Sequence, residues 1–361
     1  MLEREIAERL LAEKWGESIQ LTDPETLREN RCFSFRVAAS DRQVIVKRAL
    51  DNRDALLAEW ASLQFLSEVA PDEGPAFYGG DPETCLIVYE HLGSGPSLVE
   101  PLMGDDPAAA QQALILHAEA VARLHNATAG KEARFDEIRR SLGPLPEKRD
   151  GQGWGDLATL KPQMVEGFAK LGLEVRASFW DDYDQLTQII HQPGPYRAFT
   201  HNDSCPDNCR IVDGRVRLFD FEVAGYHHRL LDTAYARLGM PHCYLANAVP
   251  SDIVAATEAA YRQACRLDDD QFGKEMVHAC FYWLVSNGIW RLADRLDQDD
   301  FTWGISTWRQ RVFYRLEVLA LTCDEFGWMS AVGEAARETV GRLRGRWAVE
   351  PMSVYPALRG C

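Results

Sequence analysis

Residues 201–222 read HNDSCPDNCRIVDGRVRLFDFE. Two short apolar-leaning runs, CRIV (209–212) and RVRLF (215–219), flank Asp213-Gly214. That pair favours a two-residue type I′ hairpin, because both central residues must take positive φ. The turn fixes the register: Val212 faces Arg215, Ile211 faces Val216, Cys209 faces Leu218 and Asn208 faces Phe219, leaving Asp220 just beyond at the open end. An amide oxygen and a carboxylate delivered by two strand ends suit a hard cation such as Mg²⁺, which takes one or two protein oxygens and completes its shell with water and phosphate. Such a site implicates a nucleotide. Asp203 stands five residues before Asn208, in a loop opened by His201, and is placed to act as a base beside the metal rather than as its ligand.

The pattern HxDxxxxN, here His201, Asp203 and Asn208, followed after the hairpin by Asp220-Phe221-Glu222, resembles the catalytic core of protein-kinase-like phosphotransferases. The resembling branch holds the aminoglycoside phosphotransferases, choline kinases and related small-molecule kinases. Protein kinases carry arginine at the place of Asn202 and glycine at the place of Glu222; both departures look like the small-molecule branch. The trailing AGYHHRLLDTA (224–234) also resembles that branch, and the resemblance implies that Asp232 ties down the catalytic loop. An aspartate or histidine in a turn commonly does no more than cap backbone groups; the hairpin ending in Asp-Phe-Glu argues for the catalytic reading.

A kinase-like chain needs a lysine on an upstream strand, a carboxylate on the following helix, and a hinge. In RCFSFRVAASDRQVIVKRA (31–49), Phe33, Phe35 and Val37 alternate with polar neighbours, and a second strand, Val-Ile-Val, ends at Lys47. A lysine at a strand end often only reaches for solvent. In RDALLAEWASLQFL (53–66) an apolar stripe runs Leu56, Trp60, Leu63, and Glu59 flanks it, so the carboxylate can meet Lys47. The resemblance assigns this ion pair to holding the α- and β-phosphates of the nucleotide. CLIVYEHLGSGPSL (85–98) reads as a buried strand entering a Gly/Ser/Pro connection. By resemblance Glu90, His91 and Leu92 form a hinge whose backbone binds the purine edge, with Tyr89 behind the base, where a ring narrows the pocket and bears on ATP against GTP. The family often has a glycine-rich loop over the phosphates, whereas LRENRCFSFRV (27–37) has no glycine, so side chains such as Asn30 or Ser34 would share that work.

Farther on, DPAAAQQALILHAEAVARLHNAT (106–128) starts on proline and carries Leu114, Ala118, Val121 and Leu124 at helical spacing; His117 and His125 read as core or cap residues. The turn-rich GPLPEKRDGQGWGD (143–156) reads as an exposed insertion. SDIVAATEAAYRQACRL (251–267) and FYWLVSNGIWRLADRLDQDD (281–300) are helical in pattern, and Trp283, Trp290, Trp303 and Trp308 nearby read mainly as core aromatics.

The chain has 361 residues, 46% hydrophobic and 26% charged, a globular balance that excludes a disordered or fibrous class. Fifty-five acidic against 39 basic residues give a net charge of −16, which disfavours nucleic acid as a partner and permits a cationic small molecule. MLEREIAERLLAEKWG (1–16) describes an amphipathic helix through Leu2, Ile6 and Leu10, without the apolar core of a signal peptide. No segment approaches eighteen uninterrupted apolar residues, so the expectation is a cytoplasmic protein with no membrane partner. Nine cysteines without a CxxC pair fit reduced thiols better than a disulfide framework. A zinc site from His201, Cys205 and Cys209 is opposed by Pro206 and by the strand that Cys209 begins.

The expected fold is α+β: a two-lobed protein-kinase-like fold with an antiparallel-sheet N-lobe, residues 1–92, that binds nucleotide, and a mostly helical C-lobe, residues 93–361, carrying the catalytic loop and acceptor site. The expected activity is Mg²⁺-assisted transfer of the γ-phosphoryl group of ATP or GTP to a hydroxyl of a metabolite or antibiotic. Asp203 is the candidate base, Asn208 and Asp220 the metal ligands, and Lys47, Glu59, Glu90, His91 and Leu92 the nucleotide-binding residues. The acceptor class stays open between an aminoglycoside, a choline-like cation, a sugar, an amino alcohol and a homoserine-like compound. The alternative is a nucleotide-binding pseudokinase, motivated by the glycine-free loop.

Overall fold

The computed structural model describes residues 2–29, 31–38, 40–50, 52–143 and 156–360. The first part of the chain is a five-stranded antiparallel sheet in the order β1-β2-β3-β5-β4, from β1 (Leu21–Arg28), β2 (Cys32–Val37), β3 (Gln43–Arg48), β4 (Phe77–Asp81) and β5 (Leu86–Glu90). Period-two alternation gives each strand two working faces. Val44 and Val46 of β3, with Phe35, Val37 and Val88, pack under Leu10 and Leu11 of helix α1 (Leu2–Trp15). Ile45, Ile87 and Tyr89 point the other way, into the main core with Leu56, Leu57 and Trp60 of helix α2 (Arg53–Val69). Lys47 shares this inner side, paired in register with Cys32 and Ile87. Each fully buried aliphatic side chain contributes about 1.5–3 kcal/mol, so the lysine sits on a firmly held strand.

α1 buries Ala7, Leu10 and Leu11, whereas Leu2 is 59% exposed; its contact stripe is rotated from the expected Leu2-Ile6-Leu10 line. β1, LTDPETLR, is an edge strand with register shifts against β2 and a positive φ at Asp23. Proline and acidic residues hide such a strand from pattern reading, and an edge tolerates them.

The remainder is mostly helical. Helix 107–128 starts with Asp106 capping Ala108 and Ala109 and Pro107 at its first turn, and packs on helix 251–265. Helix 269–286 packs on helix 308–326, which in turn packs on helix 330–344. The expected helical stretch after residue 281 stops at Ser286; Asn287-Gly288 breaks it before short turns at 289–291 and 292–295. Trp283 and Trp308 are buried, but Trp303 is half exposed. The insertion expected at 143–156 lies almost wholly outside the described residues. No helix among the described residues is long and apolar enough to cross a membrane.

Two small ribbons sit between the sheet and the helices. β6 (Arg197–Thr200) pairs with β9 (Gly225–His228), and β7 (Cys209–Val212) with β8 (Arg215–Leu218). The expectation of reduced thiols is corrected at one pair: Cys205 and Cys243 are joined in a disulfide, while Cys32, Cys85, Cys209, Cys265, Cys280 and Cys323 are free. The partners lie 38 positions apart, with no local spacing to signal them.

Candidate active site

The β7–β8 hairpin has the register its turn dictates: Val212 opposite Arg215, Ile211 opposite Val216 and Cys209 opposite Leu218. Asp213 and Gly214 both take positive φ, 50° and 74°. Beyond the last pair, Phe219 donates its amide to the Asn208 carbonyl (3.0 Å), so Asn208 and Asp220 leave the same end of the ribbon. Asp220 itself has φ 66°, an uncommon conformation for a side-chain-bearing residue that turns the carboxylate out of the strand direction.

The loop before the hairpin is fixed from below. Buried Asp232 accepts the amides of His201 (2.7 Å) and Asn202 (2.8 Å) and meets His125 Nε2 at 3.2 Å. Burial pushes the Asp232 pKa up, but the bonds and charges of His125 and His201 outweigh it and hold the group below the usual carboxylate range. His201 spends both ring nitrogens: Nε2 donates to Phe219 O (2.8 Å) and Nδ1 accepts from the Asp203 amide (3.2 Å). Both of its ring nitrogens are taken by backbone groups and Cys205 is in the disulfide, so the zinc reading through His201, Cys205 and Cys209 fails.

Asp203 is held at both oxygens. His242 Nε2 lies 2.7 Å from Oδ1, and Asn208 Nδ2 donates to Oδ2 (3.0 Å) and to the Asp203 carbonyl (2.9 Å). Burial raises the Asp203 pKa, and the His242 bond and charge more than reverse this, leaving it lowered. Cys205 Sγ approaches Oδ1 at 3.0 Å; a disulfide sulfur carries no hydrogen, so this is a contact and not a hydrogen bond.

From the sheet side, Lys47 Nζ lies 2.6 Å from Glu59 Oε2, 2.6 Å from Asp220 Oδ1 and 3.5 Å from Glu222 Oε2. Glu59 is fully buried, not at the edge of its helix. Burial pushes its pKa up to about 7 against the pull of Lys47. The lysine is pulled the other way: burial opposes its charge, but Glu59 and Asp220 raise its pKa well above the usual value. Glu59, Asp220 and Glu222 each place a carboxylate oxygen within 4.8 Å of the others.

A cavity of about 120 Å³ opens beside this cluster, lined on one side by Ile45, Tyr89, Glu90, His91 and Leu92 and on the other by Phe219 and Arg210 of the hairpin region. The hinge trio differs within itself. The Glu90 carboxylate accepts from the Ala76 amide and forms a two-pronged pair with Arg217 (3.1 and 2.8 Å), so that side chain ties the hinge to β8. The amides of Glu90 and His91 bond to Ala76 O (2.9 Å) and Gln43 O (3.2 Å). Leu92 is the member whose amide has no partner among the described residues. Of the side chains considered for the glycine-free turn, Ser34 is buried and reaches Glu25 (3.4 Å), and Asn30 lies outside the described residues.

Sequence reasoning missed His242, the Cys205–Cys243 link and the Arg217–Glu90 tie. His242 follows Asp203 by 39 positions in MPHCY, where nothing in spacing or periodicity marks it.

A sheet-bearing lobe and a helical lobe meeting at a lysine–carboxylate cluster define the protein-kinase-like class of fold. The chain belongs to the phosphotransferase enzyme family, whose model matches residues 26–268, and it is a phosphotransferase. It is similar to choline kinase LicA from Streptococcus pneumoniae at 14% identity, with a TM-score of 0.51 over 89% of this chain and 100% of that one. A structure of LicA in complex with AMP gives 14% identity and a TM-score of 0.50 over 88% and 98% of the two chains. An aminoglycoside phosphotransferase from Alicyclobacillus acidocaldarius gives 12% and 0.49 over 93% and 95%. At these identities the likeness to the two LicA structures speaks for the fold alone. No curated protein sequence matches the chain.

Proposed function

We propose that the chain transfers the γ-phosphoryl group of ATP or GTP to a hydroxyl of a small molecule. The observation that carries this reading is the convergence of Lys47 from the sheet, Asp220 from the hairpin and Asp203 from the loop between them, beside a cavity fit for a base. In this reading residues 1–92 form the nucleotide-binding lobe and residues 93–361 supply the catalytic loop and the acceptor site.

The donor set suits Mg²⁺. Asn208 spends its Nδ2 on Asp203, which turns its amide oxygen away from that residue, and Asp220 and Glu222 add carboxylates; these are hard oxygen ligands. Bound there by Asn208 and Asp220, the ion would neutralise charge on the phosphates. Lys47, held by Glu59, binds phosphate oxygens once it leaves Asp220. The Leu92 amide serves the purine edge, and Tyr89 closes the back of the pocket. Asp203 orients the acceptor hydroxyl through a hydrogen bond and takes its proton. Phosphoryl transfer needs little covalent help, so positioning and charge supply most of the rate.

The test is Mg²⁺-dependent turnover of ATP and GTP across a panel of hydroxyl compounds, sugars, amino alcohols and aminoglycosides included. Asp203→Ala should lower kcat by about 10²–10⁴-fold and leave nucleotide binding intact. Unchanged transfer rejects Asp203 as base, and nucleotide binding with no turnover on any compound would favour a noncatalytic regulator.

A further inference from the structure

His242 lies outside every motif the chain displays, yet its ring touches the candidate base. Its Nε2 is 2.7 Å from Asp203 Oδ1, and a carboxylate in this setting can only accept, so that nitrogen carries the proton. The ring is 8% exposed. It leans on Trp283 (centroids 5.1 Å apart) and lies edge-on to Tyr235. The Tyr235 hydroxyl donates to Asn202 O (2.9 Å) and sits 3.1–3.3 Å from both ring nitrogens.

The residues on either side of His242 are anchored independently. The Pro241 carbonyl accepts from buried Arg315, whose other nitrogen bonds to Asn287 O (3.2 Å). Cys243 is joined to Cys205, two residues after the base. Met240, just before, takes φ 59°, which turns the chain so that the ring faces inward. A surface histidine has no need of such a frame.

We propose that His242 is a positioning residue for Asp203: by donating from Nε2 to Oδ1 while Asn208 donates to Oδ2, it locks the carboxylate plane so that one free lone pair is aimed at the acceptor hydroxyl. A carboxylate pinned at one oxygen can rotate about its last torsion; pinned at both, it presents a fixed direction, and small misplacements of a catalytic group cost large factors in rate. The inference rests on Asp203 being the base.

Three variants test it. Phenylalanine at 242 keeps the ring against Trp283 without a donor; glutamine places an N–H near the position of Nε2; asparagine places one near Nδ1. Each is assayed for transfer to the best acceptor of the panel and for MgATP hydrolysis with water as acceptor, with melting temperature as the folding control. His242→Phe should lower kcat roughly 10–100-fold with KM for ATP within about twofold, while His242→Gln recovers most of the loss and His242→Asn does not, since a distance-specific donor is what positioning requires. Should His242→Phe fail to fold, the Gln and Asn pair decides alone. Phe equal to wild type, or Gln no better than Asn, overturns the proposal. Asp203→Ala run alongside separates the two ideas: if it stays active the base assignment falls, and if it is inactive while His242→Phe is active only the positioning role falls.

Discussion

Asp232 holds two successive amides of the loop that carries Asp203 while being wholly buried, so its charge is present only because those donors and His125 surround it. Asp232→Asn keeps the volume but turns an N–H toward an N–H donor. The expected cost is roughly 2–3 kcal/mol, seen in denaturant unfolding, with kcat falling more than KM for nucleotide rises. His117 is buried on the helix 107–128, and its Nε2 has no hydrogen-bond partner among the described residues. Burial pushes its pKa down to about 4, below the unfolded value near 6.5. The unfolded state then binds more protons between these values, so this contribution is present above about pH 6.5 and is lost as pH falls toward 4. His117→Leu should flatten the acid side of the Tm-against-pH curve by roughly 3 kcal/mol equivalent. If the slope is unchanged, His117 is not the titrating group. At this scale the sequence was informative where chemistry is local: Asp203 and Asn208 stand five apart, and Lys47 ends an apolar strand. It was silent where partners meet through the fold, as His242 and Asp203 do.

The hairpin is the element that sends Asn208 and Asp220 out of one end, and it has an unexpected strand-like neighbour. The connection after the hinge lies along β7: Ile211 donates to Pro96 O (2.7 Å) and Leu98 donates to Pro206 O (3.0 Å). A Cβ on Gly95 would stand 2.3 Å from the Ile211 carbonyl oxygen, and backbone cannot step aside. Gly95→Ala should destabilise by roughly 2–3 kcal/mol and weaken nucleotide binding, because hinge and hairpin form the two walls of one cavity. Gly214→Ala acts only on the turn, whose positive φ costs an alanine about 1 kcal/mol, and should lower Tm slightly with nucleotide affinity kept. Calorimetry and nucleotide titration separate the two cases. The Asp213-Gly214 dipeptide made the hairpin legible down to its register, since a two-residue turn leaves no freedom. The Gly95 contact was not legible, because GSGPS reads only as a connection until the surface it lies against is known. β1 was hidden for a related reason: an edge strand with Pro24 obeys its neighbour, not its own propensity.

For the whole molecule, the disulfide closes a loop running from Cys205 through the hairpin, β9 and Asp232 to Cys243. Closing 38 residues restricts the unfolded chain by about 3–4 kcal/mol in the chain-entropy treatment. Reductant should therefore lower the melting temperature measurably, and Cys205→Ser should reproduce the shift and no longer respond to reductant. A melting curve indifferent to reductant would show that the cross-link contributes nothing to stability.

The match to the family starts at residue 26, whereas the helix over the back of the sheet spans Leu2–Trp15. A fragment begun at residue 26 would lay bare Phe35, Val37, Val44, Val46 and Val88 together, a greasy plate on an otherwise strongly acidic particle. Such a fragment would self-associate through that plate even though Lys47, Glu59, Asp203 and Asp220 are all still present, so expression boundaries for this enzyme belong upstream of the family's own edge.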